Sequence, residues 1–425
     1  MLLVGAILLL IFLYRSWARL AHVPGPFLAS ISNIPRLLWV WSGSAHDIHI
    51  NLHKSDPHEM QKIYGTGANM QKSEFYGVFQ PVVKGKVIPG LFNSLDESVH
   101  RAMKRPIAGI YSMTNLVEFE PYVENTIKFF LSRLDEKYVG SDKPCNIGDW
   151  LQWLAFDVMG EITFSKRLGF LDEEKDVEGI IHQIWDMSLY AACVGQIPWA
   201  DKFLLKNPLL RWLRPEKVAP IPAFALARAR ERANVSEDEK ADTIYNSKDF
   251  MSRFIEARSK NPSIPESYIT AWATSNINAG SDTTAIYLRA IVYYLNKHPA
   301  AQDKLMTELA LARRDGRLSE IVTWKESREL PYLDACVKEA GRLYPAVGLT
   351  MERVVPKGGI QLCGTRLEEG TVVGMSGWVV HRDRGIFGAD ADEFNPERWL
   401  VDKDKRATME RCLLTVRFAS LRKLR

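Results

Sequence analysis

The sequence predicts a mainly helical protein with a small β-sheet, and two features of its 425 residues support that prediction. Apolar residues recur at helical spacing through most of the chain, most clearly from Ser267 to His298, where a helix would be about 45 Å long. After Pro345 the sequence changes to short valine-rich and glycine-rich stretches, which are typical of short strands joined by turns. We therefore expect a helical body whose sheet forms late in the chain.

Composition and cysteine usage exclude several classes of function. The chain has 55 basic and 51 acidic residues, and this near balance gives no whole-chain argument for a nucleic-acid partner. Its five cysteines are far apart and form no CxxC pair, so reduced thiols are favoured over a disulfide framework and a zinc site is disfavoured.

The N-terminus has the character of a membrane anchor. An uncharged run of 13 residues from Leu2 to Tyr14 is followed by Arg15 and Arg19. A helix of that length spans about 20 Å, which is shorter than the roughly 30 Å hydrocarbon core. We predict a single-pass anchor over residues 1–20, with a cleaved signal peptide as the alternative.

The arginines and prolines that follow this run predict how the body is placed. Basic residues after an apolar run favour a cytosolic body. The stretch "HVPGP" places two prolines around a glycine and predicts a stiff hinge over residues 21–27. Residues 28–425 form the body.

Polar residues interrupt the long predicted helix at its centre, where residues 278–284 read "NAGSDTT". Glycine, serine, aspartate and threonine are poor helix formers, so a cluster of them in a core helix suggests a functional reason. Glycine permits close approach, an acid beside a hydroxyl can pass protons, and threonine can divert a backbone carbonyl. The alternative is a packing glycine beside a solvated polar patch.

A second short pattern, "VKEAGRLYP", places Glu339 and Arg342 three residues apart on a helix. This spacing puts both side chains on one helix face, close enough to pair. Such pairs are common on surface helices, so a further arginine from "NPERW" would be needed to make a buried network.

Taken in order, these stretches resemble the cytochrome P450 family of haem-thiolate monooxygenases, and most closely its filamentous-fungal, pisatin demethylase-like members. The resemblance covers residues 24–415. It is carried by "VPGPFL", "AGSDTT", "KEAGRLYP", "ERVVPKGG", "VVHRDRGIFGADADEFNPERWL" and "DKDKRATMERCLLT". The fold that it implies is a cytochrome P450-like, mainly α fold with a small sheet, over residues 28–425.

The resemblance assigns catalytic roles on the long helix. Asp282 and Thr283 would be the acid and the alcohol that deliver protons to dioxygen. Ala279 and Gly280 would make room for the haem-bound reactants.

It also assigns structural roles and contacts to the haem cofactor. Glu339, Arg342 and Arg398 would form a buried triad that fixes the core around the haem. The haem propionates would face three further residues, namely His100, Lys104 and Arg353. His100 stands where the family has an aromatic residue, and an imidazole can still donate to a carboxylate.

The implied activity is insertion of one oxygen atom from O2 into a small lipophilic substrate, in fungal secondary metabolism. Electrons would come from an NADPH-dependent reductase at the endoplasmic reticulum membrane, with the catalytic domain facing the cytosol. The substrate roof would lie between Trp185 and Phe224, a region that contains Trp199, Phe203 and Trp212.

Two stretches depart from the family pattern. The family's haem loop, Phe-x-x-Gly-x-Arg-x-Cys-x-Gly, is expected after Pro396 to Trp399, but the chain continues to "VRFASLRKLR". Cys412 is the remaining candidate thiolate, and its leucine neighbours do not form the turn that such a ligand needs. The two strands expected after Lys54 are also missing.

These departures predict an incomplete catalytic domain that would be inactive for lack of the thiolate loop. The alternatives to a monooxygenase are a truncated remnant or gene-model fragment of such an enzyme, and a membrane-anchored protein that binds apolar ligands.

Overall fold

The computed structural model describes residues 2–52, 56–65, 67–83, 85–213, 219–233 and 248–414. Helices dominate these residues, and the strands form small antiparallel sheets, as the sequence predicts. The helices are α1 (Leu2–Leu20), α2 (Phe27–Ile31), α3 (Ile34–Trp41), α4 (Ala45–Leu52), α5 (Met60–Tyr64), α6 (Glu97–Lys104), α7 (Met113–Val117), α8 (Glu120–Tyr138), α9 (Ile147–Phe164), α10 (Phe170–Glu173), α11 (Ile180–Val194), α12 (Pro208–Leu213), α13 (Pro220–Ala233), α14 (Phe250–Lys260), α15 (Ser267–Lys297), α16 (Pro299–Arg314), α17 (Trp324–Ser327), α18 (Pro331–Leu343), α19 (Gly377–Val380), α20 (Arg384–Phe387) and α21 (Lys403–Arg411).

Short 3-10 helices connect several of these elements. They are Pro57–Glu59, Glu74–Phe79, Ala108–Tyr111, Val177–Gly179, Pro198–Phe203 and Pro396–Trp399. The strands are β1 (Gln71–Lys72), β2 (Val82–Val83), β3 (Lys86–Val87), β4 (Arg353–Val354), β5 (Ile360–Leu362), β6 (Thr365–Leu367) and β7 (Val372–Val373).

The sheets correct the expectation that the sheet forms late in the chain. The largest described sheet has the order β1-β4-β7, so its first strand comes from residues 71–72. The hairpin of β2 and β3 also precedes most of the helices. Strands of two residues are too short to show the alternation by which a strand is predicted, and their pairing is set by tertiary contacts.

The centre of the molecule is helix α15, which has the length and position that the sequence predicts. It packs mainly against α9, and also against α13, α14 and α18. The cluster between α9, α14 and α15 contains the fully buried rings of Phe156, Phe164, Phe254 and Trp272. Burial of such large apolar side chains is the main stabilising contribution to the fold and fixes α15 relative to α9.

The N-terminal helix α1 lies beside the β5–β6 hairpin. Arg19 donates to the carbonyl of Glu369 at 3.3 Å, and a ring nitrogen of His22 lies 2.9 Å from the carbonyl of Arg366. Within the described ranges, no helix is both long and apolar enough to cross a membrane. The anchor predicted over residues 1–20 thus finds no support in the structure.

Candidate functional site

A fully buried ion pair joins Glu339 and Arg342 on α18. Both side chains have 0% relative exposure, and the guanidinium donates to both carboxylate oxygens at 2.8 Å. A bidentate pair of this kind is short and strongly directional. The pair therefore forms as the spacing predicts, and it lies in the core rather than on a surface.

Arg398 completes this network from the Pro396–Trp399 turn. Its Nε lies 3.3 Å from an oxygen of Glu339, and its Nη1 donates to Asp390 at 2.8 Å. The indole of Trp399 donates to the other oxygen of Glu339 at 2.9 Å. The structure thus brings together the three residues Glu339, Arg342 and Arg398, as predicted, and adds Trp399.

His381 links this core to the last described residues. Arg342 donates to the His381 carbonyl at 2.7 Å, and the His381 ring is fully buried. Burial lowers the pKa of His381 to about 3, so the imidazole is neutral. Because the Leu414 amide donates to Nε2 at 2.7 Å, Nδ1 must carry the proton that it shares with the Arg342 carbonyl at 2.9 Å.

The middle of α15 contains exposed residues. Asn278, Ala279 and Thr284 are exposed, although residues before and after them on the same helix are buried. Thr283 is half-buried, and its hydroxyl donates to the Ala279 carbonyl at 2.6 Å. This is the bond by which a threonine in a helix can divert a carbonyl, and α15 continues unbroken through it.

Asp282 points from α15 toward α9. Its carboxylate accepts from the Gln152 amide at 3.2 Å, and Arg289 donates to the oxygen of the same amide at 2.7 Å. Burial raises the pKa of Asp282, and the charge of Arg289 partly offsets that rise. Asp282 and Thr283 are therefore adjacent in sequence, but their side chains form hydrogen bonds with different groups, the Gln152 amide and the Ala279 carbonyl.

Gly280 packs against Met159 of α9. A Cβ placed on Gly280 would lie 2.6 Å from the Met159 sulfur. The glycine therefore allows α9 and α15 to approach closely, which is the packing role that the sequence left open. The contact is with α9, whereas Ala279, the preceding residue of α15, is exposed.

Arg353 of β4 lies between two tyrosine rings. Its guanidinium is 5.4 Å from the ring centre of Tyr64 and 5.6 Å from that of Tyr76, and it donates to the Tyr76 hydroxyl at 3.1 Å. Rings at this distance hold a guanidinium by cation–π attraction without neutralising it.

Two other predicted propionate contacts, His100 and Lys104, lie on helix α6. Burial lowers the pKa of His100, and the charges of Lys72 of β1 and of Lys104 lower it further, so these three groups share their surroundings. Burial, Arg353 and Lys104 lower the pKa of Lys72 to about 8. The structure thus brings His100, Lys104 and Arg353 into one cluster and adds a fourth basic group.

Cys412 packs as a small apolar residue. It is 3% exposed and lies in a cluster with Phe387, Trp399 and Met409. Burial raises the pKa of its thiol, which disfavours the thiolate that a metal ligand requires. Among the described residues no group of three histidine, cysteine or acidic side chains could hold a metal ion. Val416 and the other residues of the range 415–425, where the haem loop was expected to begin, lie outside the described residues.

The basic cluster has the chemistry that haem propionates require. Lys72, Lys104 and Arg353 form no ion pair within the part of the chain that the structure describes, so their charges are available to a carboxylate ligand. A haem bears two carboxylates, and charge-assisted hydrogen bonds are the contacts that hold such groups. The donors present therefore fit the propionates of this cofactor, whereas the buried thiol of Cys412 does not fit its iron.

Comparison with known proteins agrees with this geometry. The model of the Cytochrome P450 family matches residues 74–412. The chain belongs to the cytochrome P450 family, and it is thus an enzyme whose cofactor is haem.

Its relatives are fungal monooxygenases. The chain is 49% identical to the cytochrome P450 monooxygenase cicH of Emericella nidulans, over 95% of this chain and 84% of that protein. It is 47% identical to a cytochrome P450 monooxygenase of Aspergillus terreus, over 96% of this chain and 86% of that protein. It is also 40% identical to mpaDE of Penicillium brevicompactum, over 94% of this chain and 49% of that protein.

The sequence did not predict Lys72, Gln152, Arg289 or Met159 as members of the site. Each makes its contact with a residue distant in the chain, and none lies in a motif with a recognisable spacing. The sequence gives a weak indication that Gln152 and Arg289 are hydrogen-bonded, because polar residues in mostly apolar core helices usually have partners.

Proposed function

We propose that the site of this chain serves the insertion of one oxygen atom from O2 into a small lipophilic substrate in fungal secondary metabolism, a reaction that also requires an axial thiolate, for which Cys412 is poorly suited. The observation that carries the proposal is the middle of α15, where exposed Ala279 and half-buried Thr283 are joined by a hydrogen bond between the buried residues Ile277 and Ala285. The names of the fungal relatives support the same reaction class. Haem, when bound, supplies the activation of O2 and the transfer of one oxygen atom to the substrate.

His100, Lys104 and Arg353 hold the propionates of the cofactor. Arg353 is positioned by Tyr64 and Tyr76, and the two other groups lie on one helix, α6. The triad of Glu339 and its two arginines fixes α18 against the Pro396–Trp399 turn.

Asp282 and Thr283 transfer protons at the reaction site. The raised pKa of Asp282 lets this carboxyl hold a proton at a higher pH than an exposed aspartate does. Thr283 donates to the Ala279 carbonyl, so its hydroxyl oxygen is held on the exposed face and can accept one proton while it gives another. A rotation of the Asp282 side chain away from Gln152 would connect the two groups.

Exposed apolar side chains outside the site favour a position at a membrane surface. Trp185, Trp199, Phe203 and Trp212, expected at the substrate roof, are 62–80% exposed, so they neither pack in the core nor close a pocket. The Arg211 guanidinium donates to the Val82 carbonyl at 3.2 Å, which joins α12 to the exposed β2–β3 hairpin. An exposed apolar surface of this kind is typical of an interaction site. We propose that it contacts the membrane where the NADPH-dependent reductase resides.

The experiment that tests this function uses isotopically labelled O2. The haem-loaded chain is incubated with a fungal NADPH-dependent reductase and an extract of small lipophilic fungal metabolites. We expect products with a single labelled oxygen atom that require both NADPH and the reductase. Products with two labelled atoms, or haem-loaded chain that yields none, would contradict the proposal.

A further inference from the structure

We propose that the interface between α9 and α15 binds one buried water molecule through Thr163, Trp272 and Asn276. The three side chains are 0%, 0% and 9% exposed. Each carries a polar atom that has no hydrogen-bond partner among the described residues, namely the Thr163 Oγ1, the Trp272 Nε1 and the Asn276 Nδ2. A buried polar atom without a partner is costly, so three of them on facing helices indicate a bound ligand.

Trp272 and Asn276 lie on one face of α15. They are four residues apart, so their side chains are neighbours one turn apart on the same side of the helix. The hydroxyl of Tyr111 donates to the Oδ1 atom of Asn276 at 2.5 Å and fixes the orientation of the amide. The donor that this amide has left is its nitrogen, close to the indole N–H of Trp272.

The alignment of the two helices brings Thr163 to the same level. Arg289 of α15 donates to the carbonyl of Gly148, near the start of α9, at 2.7 Å. Met159, near the end of α9, packs against Gly280. The helices therefore run antiparallel, and four further residues along α9 and four back along α15 place Thr163 opposite the asparagine. Thr163 lies one turn from Met159, so it is on the face of α9 that meets α15.

The surroundings of this site favour a neutral ligand. The Trp272 ring centre lies 5.5 Å from that of Phe254 and 5.8 Å from that of Tyr268. The Phe250 ring lies 5.0 Å from the ring of Tyr111. An ion placed among aromatic rings would lose its hydration, which costs more free energy than two N–H groups and a hydroxyl return.

A water molecule matches the three polar atoms. Its oxygen can accept from the indole N–H of Trp272 and from the amide of Asn276, and one of its hydrogens can be donated to the hydroxyl of Thr163. Buried waters typically make about three hydrogen bonds to polar groups of this kind. The water would therefore join α9 to α15 one turn away from the close contact at Gly280.

The indole proton of Trp272 reports on this site directly. The full chain is labelled with 15N-tryptophan, Trp272→Phe assigns the signal, and Overhauser transfer from water is measured in the rotating frame. We expect a water peak at Trp272 that persists in Tyr111→Phe, which removes a hydroxyl that could relay it. The matched control is the indole of Trp399, which is 1% exposed and donates to Glu339, and it should give no such peak.

The sign of a stability change gives a second readout. Thr163→Val keeps the shape of the side chain and removes the hydroxyl. If the hydroxyl binds water, the urea midpoint of unfolding should fall, whereas removal of an unpaired polar atom would raise it. Thr126→Val is the matched control, because Thr126 is 1% exposed and its hydroxyl donates to the Tyr122 carbonyl at 3.0 Å. Its midpoint should fall in either case.

Three outcomes would overturn the inference. They are the absence of a water peak at Trp272, the loss of that peak in Tyr111→Phe, and a raised midpoint in Thr163→Val. A stoichiometric organic molecule released on denaturation and detected by mass spectrometry, without a water peak, would assign the acceptor to that molecule and overturn it as well. None of these outcomes affects the proposed oxygen insertion, which the labelled-O2 experiment tests separately.

Discussion

The hydroxyl of Thr283 lies 2.6 Å from the carbonyl oxygen of Ala279, one turn earlier in α15. The bond holds the threonine side chain beside exposed Ala279, while Ile277 and Ala285 of the same helix are buried. Helix α15 continues without a break through this bond.

Replacement of Thr283 by alanine should uncouple NADPH consumption from product formation. We expect the labelled product formed per NADPH to fall about tenfold or more, since the hydroxyl is lost from the proton path. Thr283→Ser should retain most of the coupling. The matched control is Thr284→Ala, because Thr284 is exposed one position further along α15. Equal coupling in Thr283→Ala and Thr284→Ala would rule out this role.

Because of Asp282, the free energy of unfolding should vary with pH in the acidic range. Its folded pKa is raised by burial above the usual value of about 3.9, so the folded state binds the proton more tightly than the unfolded state does. The contribution to stability is complete below pH of about 4 and is lost as the pH rises through the folded pKa. Urea unfolding at several pH values should show this loss in the wild type and a smaller loss in Asp282→Asn. Identical profiles would mean that burial does not perturb this carboxyl.

The buried pair of Glu339 and Arg342 should matter far more than a surface pair of the same spacing. Arg342→Leu leaves the Glu339 carboxylate buried without its main partner, and we expect a loss of about 3–5 kcal/mol in the free energy of unfolding. Lys62→Met removes the pair that exposed Lys62 forms with Glu59, also three residues apart, and should cost less than about 1 kcal/mol. Chemical denaturation of both variants measures the difference, and similar losses would contradict the structure.

Gly280 gives a test of packing by a double-mutant cycle. Gly280→Ala should destabilise the fold by about 1–3 kcal/mol, since its Cβ would meet the Met159 sulfur at 2.6 Å. In a Met159→Ala background the same change should be neutral or stabilising by up to about 1 kcal/mol, because alanine is the better helix former. If Gly280→Ala is equally costly in both backgrounds, another contact is responsible.

The parts of the site that the sequence predicts are those set by local geometry. Glu339 and Arg342 share a helix face because of their spacing, and the polar interruption of α15 is visible in seven consecutive residues. Pairing between strands that are far apart in the chain leaves no such pattern in the sequence. Lys72 faces Arg353 only because two strands of two residues pair across the fold, and neither strand is long enough to show a period.

The same distinction applies to Gly280 and to the N-terminal run. Spacing shows that Gly280 favours a close approach, but it does not show that the approaching group is Met159 of α9. The N-terminal run predicts a helix correctly, and residues 2–20 form one, whereas no helix within the described ranges is both long and apolar enough to cross a membrane.

Haem binding by the purified chain tests the central claim most directly. Titration with hemin should give a Soret change that saturates at about one haem per chain. The double variant Lys72→Met/Arg353→Met should bind about 100-fold more weakly, because two charge-assisted contacts are removed. A wild-type chain with no saturable Soret change, or a double variant that titrates like the wild type, would contradict a haem site built on this basic cluster.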